Sequence, residues 1–444
     1  MGTRIHRMLR VADYLRCFVD RNSVHPAIRH KSVDTVGRLH DLARMEKNRY
    51  LCEKFGVLRS AHSWRRGMQE LGWAIFSFFN AFHQFFLPEC CANRRAWHAF
   101  VDIPRMFWIA LRYNLSAVHF YLYELHRTPL DSDHMQRFLT GWESHFLARY
   151  FSRVRGHDVG ALDNKVRFAL FCLKHDLPTI PLLDLRDAGV RSHLEPRDLF
   201  VKGSLGSSGK ECMVLRHDPA HQCWTLPSGQ SCRAEGLAAT LDAYFRCDRY
   251  VVQYRVQNHP RIQWLSDSVL TTIRAVTAWK ANGEPGLLRC TIRLPSDSEA
   301  FLDNTNQGGL AAPVDPQRGI IEGPAIAFNE AYSTEFPLGQ ARSLIGFELP
   351  LWDDVKRCLH RAHRAAGNYN FLGWDVALTT DGVALVECNV WSDTELVQVP
   401  QRQPLLAGEW LDCLQVELGL CEALQARATH LASARLSGRL PEPL

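Results

Sequence analysis

Residues 373–389 constrain the fold of this chain more than any other stretch. Two alternating runs, Gly373-Trp374-Asp375-Val376-Ala377-Leu378 and Val383-Ala384-Leu385-Val386-Glu387-Cys388-Asn389, flank Thr379-Thr380-Asp381-Gly382. An Asp-Gly pair between such runs is a strong hairpin signal. The loop length then decides which side chains share a face, because strand side chains alternate with period two. A two-residue turn at Asp381-Gly382 sets Asp375 opposite Cys388 and puts Glu387 on the other face. A three-residue loop over residues 380–382 pairs Asp375 with Glu387, and Asn389 then shares their face.

In the second register, three oxygen donors lie on one side of a rigid hairpin. That is the donor set of a Mg²⁺ ion whose remaining positions are filled by phosphate oxygens. Two carboxylates turned toward an apolar core without a cation, a partner or water would cost several kcal/mol. A solvated hairpin face is the plainer alternative, and the hairpin alone does not choose between them.

A second segment points the same way. Lys202 ends the apolar run Leu199-Phe200-Val201 and leads into Gly203-Ser204-Leu205-Gly206-Ser207-Ser208-Gly209-Lys210, after which Cys212-Met213-Val214-Leu215 reads as a returning strand. Glycines let backbone N–H groups approach anionic oxygens, serines add donors, and the ammonium supplies charge, so the loop suits polyphosphate. A plain Gly/Ser hairpin connection reads the same way. It is not a P-loop, because Ser204 stands where the first Gly is needed and Glu211 where the metal-binding hydroxyl is needed.

The chain has 444 residues, enough for two or three domains. Its net charge of +5 hides an asymmetry. Residues 1–155 hold 24 Lys and Arg against 13 Asp and Glu, and the remainder 28 against 34. Regions so different in charge are expected to meet different partners. The 14 cysteines include no C-x-x-C pair, which argues against a thiol metal or redox motif and for a reducing compartment. Arg4, Arg7, Arg10, Asp13 and Arg16 interrupt any apolar run near the start, so a secretory leader is not expected and a cytoplasmic location is. The basic half carries no recognisable nucleic-acid motif, so no nucleic-acid partner is expected.

Residues 1–155 read as a helical, basic, aromatic-rich N-terminal domain. Within residues 73–87, Ile75, Phe78, Phe79, Phe82, Phe85 and Phe86 recur at helical spacing. Residues 107–125 are equally aromatic but contain Arg112, Asn114 and His119. Both are too polar for membrane spans. Core helices are the default reading, and a helix lying at the inner face of an anionic membrane is the second. A helix is expected to follow residues 131–133 up to about residue 150. From residue 162 the texture changes to helices at 163–175, 234–245, 352–366 and 410–426, with strands at 179–185, 198–202, 211–215, 250–256, 271–279, 287–294, 371–379 and 383–389. Residues 296–316 read as a long loop. His360-x-x-His363 reads as part of a solvated basic face with Arg357, Arg361 and Arg364 rather than as a metal pair. No Gly-x-Ser-x-Gly elbow occurs, so a serine hydrolase finds no support.

Taken in order, these segments resemble the ATP-grasp fold, and more narrowly are similar to its sugar-transfer-associated group. The resemblance rests on Leu162-Asp163-Asn164-Lys165, the Lys202 loop, Val251-Val252-Gln253-Tyr254 leading to Asn258-His259-Pro260, Thr272-Ile273-Arg274-Ala275-Val276-Thr277, Asp303-Asn304 with Gly308-Gly309, and the hairpin with its Glu-x-Asn. It covers roughly residues 160–430. It implies an α+β body at 156–430, in which two subdomains clasp ATP and residues 198–256 form the lid, followed by a tail at 431–444.

The resemblance also implies roles. Lys165 and Lys202 would contact ATP phosphates, with Gly203, Ser204, Gly206, Ser207, Ser208 and Gly209 folding over them. Gln253, Tyr254 and Val256 would take the adenine edge. Asn258 or His259 would stand where a ribose-binding acid is usual. Asp375, Glu387 and Asn389 would hold Mg²⁺. Arg274 and Arg293 would act on the transferring phosphoryl and the carboxylate receiving it. The implied activity is ATP-dependent ligation of a carboxylate, through an acyl phosphate, to an amine, hydroxyl or sugar-linked acceptor. The family name associates it with cell-surface polysaccharide or peptide-type products. A small-molecule kinase on the same fold, or a non-catalytic adaptor docked on a membrane or glycosyltransferase, are the rival readings.

Overall fold

The computed structural model describes residues 35–55, 63–86, 98–113, 115–127, 132–157, 162–204, 212–245, 250–266, 269–295, 309–328, 333–335, 344–367, 369–390 and 393–436. The chain divides into two compact units, one of residues 1–154, 328–334 and 402–444, the other of residues 155–327 and 335–401.

In the first unit the helices are α1 (Thr35–Phe55), α2 (Ser63–Phe85), α3 (Ala99–Tyr113), α4 (Ala117–Leu122), α5 (Ser132–Gln136) and α6 (Gly141–Arg155), together with the C-terminal helix Gly408–Leu436. The single helix expected after residue 131 is thus two, broken around Phe138–Thr140, and the C-terminal helix outruns its expected 410–426 at both ends. α1 buries Val36, Leu39 and Ala43, one face at helical spacing. Polar ties join α1 to α6. His40 Nδ1 donates to Glu143 Oε1 at 2.9 Å and His40 Nε2 lies 2.8 Å from the Gln136 carbonyl. Arg153 grips the buried Glu46 through Nε and Nη2 at 3.1 and 2.8 Å. Among the described residues no helix is long and apolar enough to cross a membrane.

The His40–Glu143 pair makes stability pH-dependent. Burial opposes both charges, but their mutual attraction and hydrogen bonds win: Glu143 falls from 4.5 to about 2, and His40 rises above 6.5. Glu143's contribution is therefore present above about pH 4.5 and is lost as pH falls toward 2. His40's contribution is present below pH 6.5 and fades as pH rises through its raised value. Glu143→Gln is expected to cost about 3 kcal/mol near pH 6 and distinctly less once pH has risen through the raised His40 value. Thermal unfolding followed across pH checks this; a loss independent of pH would contradict it.

The second unit holds α7 (Lys165–Lys174), α8 (Ala188–Ser192), α9 (Ala234–Phe245), α10 (Trp352–Ala366) and α11 (Thr394–Gln398). Its smaller antiparallel sheet contains β1 (Leu199–Gly203), β2 (Cys212–Asp218), β3 (Cys223–Thr225), β4 (Ser231–Cys232) and β5 (Tyr250–Tyr254), in the order β4-β3-β2-β1-β5. The larger contains β6 (Thr272–Trp279), β7 (Pro285–Leu294), β8 (Leu310–Val314), β11 (Phe371–Thr379) and β12 (Gly382–Asn389), in the order β8-β7-β6-β11-β12, with β9 (Ile326–Phe328) paired to β8 through Ile326 and Ala327; the short strand β10 (Ser333–Glu335) falls mostly among the first unit's residues.

Period-two alternation sorts each sheet into a core face and a polar face. On the larger sheet Ile273, Ala275, Cys290, Ile292, Trp374, Val376, Leu378 and Cys388 join one apolar cluster with Phe168 and Cys172 of α7 and Val355, Cys358, Leu359 and Ala362 of α10. On the smaller sheet Leu199, Val201, Met213, Leu215 and Val252 do the same with Leu237 and Leu241 of α9. α10 ends at Gly367, whose φ of +75° suits glycine.

Four expectations change. Residues 179–185 form no strand beyond one parallel bridge, Thr179 to Leu385. Their main-chain bonds go to two different strands instead: Pro178 O accepts from Leu385 N, and Leu183 N donates to Val252 O. β8 lies inside the supposed 296–316 loop, of which residues 296–308 are outside the described residues. β3, β4, β9 and β10 were not expected at all. His363 is not on the solvated face of α10 but wholly buried, because three residues of helix turn it onto the edge of the core stripe. Its Nε2 donates to the Tyr369 carbonyl at 3.0 Å, so Nδ1 accepts from the Thr277 hydroxyl at 2.6 Å, and that hydroxyl in turn accepts from Trp374 Nε1 at 2.7 Å. Burial holds this histidine neutral, down at about 4. His360 alone stays on the exposed side, 3.1 Å from Glu284.

Candidate active site

The polar face of the larger sheet is built row by row. Asp375 pairs with Glu387 on β12 and with Arg274 on β6, and Arg274 pairs with Thr291 on β7. Two residues along, Asn389 opposes Gly373, and two the other way Thr272 opposes Ala377 and takes a hydrogen bond from Arg293. Asp375, Glu387, Asn389, Arg274 and Arg293 therefore emerge on one surface.

The register comes about by a route the sequence did not offer. The turn is Thr380-Asp381, with Thr379 paired to Gly382, whose φ is +114°. Carried on unbroken, that turn would set Asp375 opposite Val386 and send Glu387 to the core. Instead Val376 pairs with Leu385 and Asp375 with Glu387, leaving Val386 as a β-bulge. One inserted residue delivers the acid to the polar face.

Asp375 is 1% exposed and sits between two guanidinium groups. Arg274 Nε donates to its Oδ1 at 2.5 Å and Arg293 Nη2 to its Oδ2 at 2.8 Å, while the Thr272 hydroxyl also accepts from Arg293 Nε at 2.8 Å. Burial disfavours this carboxylate, yet the two arginines outweigh it and hold Asp375 far below the usual carboxylate range. Glu387 moves the other way: burial and the adjacent Asp375 charge raise it, and its carboxyl hydrogen-bonds Asp375. Lys165 Nζ lies 3.9 Å from Glu387. Two neighbouring acids with opposed shifts mark a place where further positive charge is favourable.

Lys165 is the first residue of α7. Asn164 caps that helix, its Oδ1 accepting from Val166 N and Arg167 N at 3.0 Å each, and Asp163 Oδ1 accepts from Val390 N at 2.9 Å just past Asn389. The Lys165 N–H donates to the Ser204 carbonyl. Asn164→Ala is expected to cost about 1 kcal/mol of stability and to weaken nucleotide binding by loosening Lys165; a stability loss with unchanged nucleotide affinity would separate the two effects.

On the smaller sheet Lys202 pairs with Val251 and Phe200 with Gln253, so Lys202 and Gln253 share the face opposite its apolar core. Lys202 is buried. Burial lowers its pKa, Lys165 nearby lowers it further, and Glu387 and Asp375 act to raise it. The structure thus brings both lysines to the carboxylate pair. Gly203 closes β1 opposite Tyr250 and Ser204 follows it, buried. Gly206, Ser207, Ser208 and Gly209 lie outside the described residues, as do Asp303, Asn304 and Gly308.

Along the hinge, Gln253 Nε2 donates to the Ile180 carbonyl at 2.8 Å, fixing that amide against the strap of residues 178–183. Tyr254 turns to the core side, where its hydroxyl accepts from Glu195 N and Arg197 stacks on its ring. Val256, half-buried, follows the end of β5. Asn258 is a scaffold residue: its Nδ2 donates to Ser266 O and Val269 O, and its Oδ1 accepts from Thr271 N. His259 Nδ1 accepts from Arg261 N, and the His259 N–H donates to Leu378 O. Reading the sequence missed Arg289 and Thr291, which share the polar face through the i+2 spacing of Arg289, Thr291 and Arg293 on β7.

The donor set suits Mg²⁺. Asp375 and Glu387 supply hard oxygens from opposed strands, and Asn389, two residues beyond Glu387 on the same face, carries a third oxygen in its amide. The Asp375 oxygen that takes no bond from Glu387 keeps a second lone pair beyond the one its arginine uses.

A lysine-bearing antiparallel sheet facing an acid-bearing antiparallel hairpin across one unit defines an ATP-grasp protein. The chain belongs to the sugar-transfer associated ATP-grasp family, whose pattern it matches over residues 153–409. No functionally curated protein matches it. Among solved structures it is similar to the D-alanine–D-alanine ligase of Coxiella burnetii, at 15% identity and a TM-score of 0.33 over 63% of this chain and 62% of that one. It is similar to the biotin carboxylase domain of the Hydrogenobacter thermophilus 2-oxoglutarate carboxylase, at 13% identity and a TM-score of 0.34 over 62% and 51%. It is also similar to the D-alanine–D-alanine ligase of Bacillus anthracis, at 14% identity and a TM-score of 0.33 over 60% and 70%. The chain spans less than two thirds of the length of the first two.

Proposed function

We propose that this protein is an ATP-dependent ligase that activates a carboxylate as an acyl phosphate and joins it to an amine or hydroxyl. The observation that carries the reading is the convergence of Lys165, Lys202, Arg274 and Arg293 on the Asp375–Glu387 pair.

ATP would lie between the two sheets. Lys165, Lys202 and the residues 203–209 would hold its phosphates, and main-chain groups from Gln253 to Val256 its adenine edge, with His259 near the ribose. Asp375, Glu387 and Asn389 would hold Mg²⁺, which supplies charge neutralisation between the phosphates. A substrate carboxylate oxygen attacks the γ-phosphorus, and the bond from that phosphorus to the β–γ bridging oxygen breaks, releasing ADP. The amine nitrogen then attacks the acyl carbon, the carbon–oxygen bond to phosphate breaks, and the amine loses its proton. Such transfer needs positioning and charge stabilisation rather than a side-chain nucleophile. Asp375 fixes the direction of both arginine forks, so they are already aimed when charge develops, and donors of that kind contribute about 10²–10³-fold each. A role in building cell-surface polysaccharide or a peptide-type product is the finer form of the proposal, supported by the family's description alone.

The test is release of ADP and inorganic phosphate from Mg·ATP with pooled amino acids, peptides and amino sugars. Stoichiometric ADP and phosphate that depend on two added compounds would support the ligase. ADP without phosphate would replace it with a kinase.

A further inference from the structure

Over residues 74–86, α2 turns a row of aromatic rings outward and buries polar side chains beside Ala81 and Phe85. Ile75, Phe78, Phe79, Phe82 and Phe86 recur along one side and face outward, with Phe79 67% and Phe86 62% exposed. The inward side carries Ser77 and Gln84, both buried. Ser77 Oγ, Asn80 Oδ1 and both amide atoms of Gln84 have no hydrogen-bond partner among the described residues. A helix selected to face water on its outer side would be turned the other way round. α3 extends the same surface with Phe100, 85% exposed, and with Val101 and Trp108. Phe78 meets Phe107 edge-on at 5.8 Å, so the rings of the two helices form one continuous apolar face. A face of this kind marks an interaction surface.

We propose that this two-helix face docks on an anionic phospholipid surface, lying in the interface with its rings inserted. Charge selects the occupant. Residues 63–113 hold six arginines against three acids, and one of those acids, Asp102, is buried and accepts from the Tyr121 hydroxyl at 3.2 Å. Arg112 stands one turn beyond Trp108, its guanidinium 5.8 Å from the centre of the Tyr113 ring, the pairing of cation and amphipathic ring that suits the headgroup level. A second copy of the chain is the poorer match. A two-fold contact would bring two positively charged stretches of sequence together, whereas anionic headgroups complement both the charge and the rings. The helices lie on the bilayer rather than through it, since Arg65, Arg66 and Glu70 occupy the first turns of α2.

The test is flotation of the full chain with phosphatidylcholine vesicles and with vesicles containing about one third phosphatidylglycerol. The intact chain is expected to float with the anionic vesicles, less so at high salt, and not with phosphatidylcholine alone. Phe79→Ser combined with Phe86→Ser is expected to cut the bound fraction about tenfold or more, with an unchanged unfolding midpoint because both rings are exposed. Should that variant fold poorly, quenching of the intact chain's fluorescence by brominated lipid, reduced by Trp108→Phe, reads the same contact. Failure to bind anionic vesicles, equal binding by the folded double variant, absence of quenching, or a lipid-independent dimer that the double variant abolishes would each overturn the proposal.

Discussion

Glu387→Gln is expected to lower Mg·ATP turnover by at least about 10³-fold while leaving the fold intact. Gln keeps the size and hydrogen-bonding reach of Glu but removes the negative charge that would help to hold the metal. In the protein as it stands, Glu387 is pushed above its usual range by burial and by Asp375. Its ionised form is therefore unfavourable, and neutralising it should leave the unfolding midpoint unchanged or raised. The combination is diagnostic: a site residue held at a cost to stability loses function and gains robustness when replaced. Turnover at the normal rate in this variant would remove the metal assignment. A lowered midpoint with lost activity would instead point to a structural role.

Asp375→Ala is expected to be the most destabilising single change in the second unit, by about 3–5 kcal/mol. It would leave Arg274 and Arg293, whose side chains are 7% and 11% exposed, facing each other without the carboxylate that separates them. Arg274→Met should cost less, because Asp375 would still accept from Arg293. Denaturant midpoints for the two variants give the ordering. A loss below about 1 kcal/mol for Asp375→Ala would mean that water reaches this face freely.

Much of this was legible in the sequence, for a physical reason. Buried strands alternate and helices punctuate with Asn, Asp and Gly, so β6, β11, β12, α9 and α10 stood out at nearly their observed bounds. The grouping of Asp375 with Glu387 and Asn389 was also within reach, as one of two registers. What settled it was not: a bulge at Val386 has no local signature, because Ala-Leu-Val-Glu reads as an ordinary strand with or without it. β8 was hidden because Leu-Ala-Ala-Pro-Val is short, contains proline, and follows a Gly/Asn-rich stretch; its place in the sheet is set by β7. His363 was misread because its arginine neighbours dominate the local pattern, while its partners are Thr277, from a distant strand, and the carbonyl of Tyr369, past the helix end. The Asp375 link between the two arginines was invisible for the same reason: adjacency across strands is a product of register.

β12 is the last strand of the larger sheet, and an outer strand with free N–H and C=O groups is a template onto which a neighbouring molecule can zip. Here one acid of the site, Glu387, sits on that strand, two residues before Asn389. Leu385 already exchanges bonds with the strap, its N–H donating to Pro178 O and its carbonyl accepting from the Thr179 hydroxyl at 2.7 Å, and the next residue is the bulged Val386. A foreign strand would find the ladder occupied at one position and out of step at the next. The irregularity that aims Glu387 thus also guards the chain against edge-to-edge self-association, and straightening it would expose a sticky margin at the place where the chemistry is done.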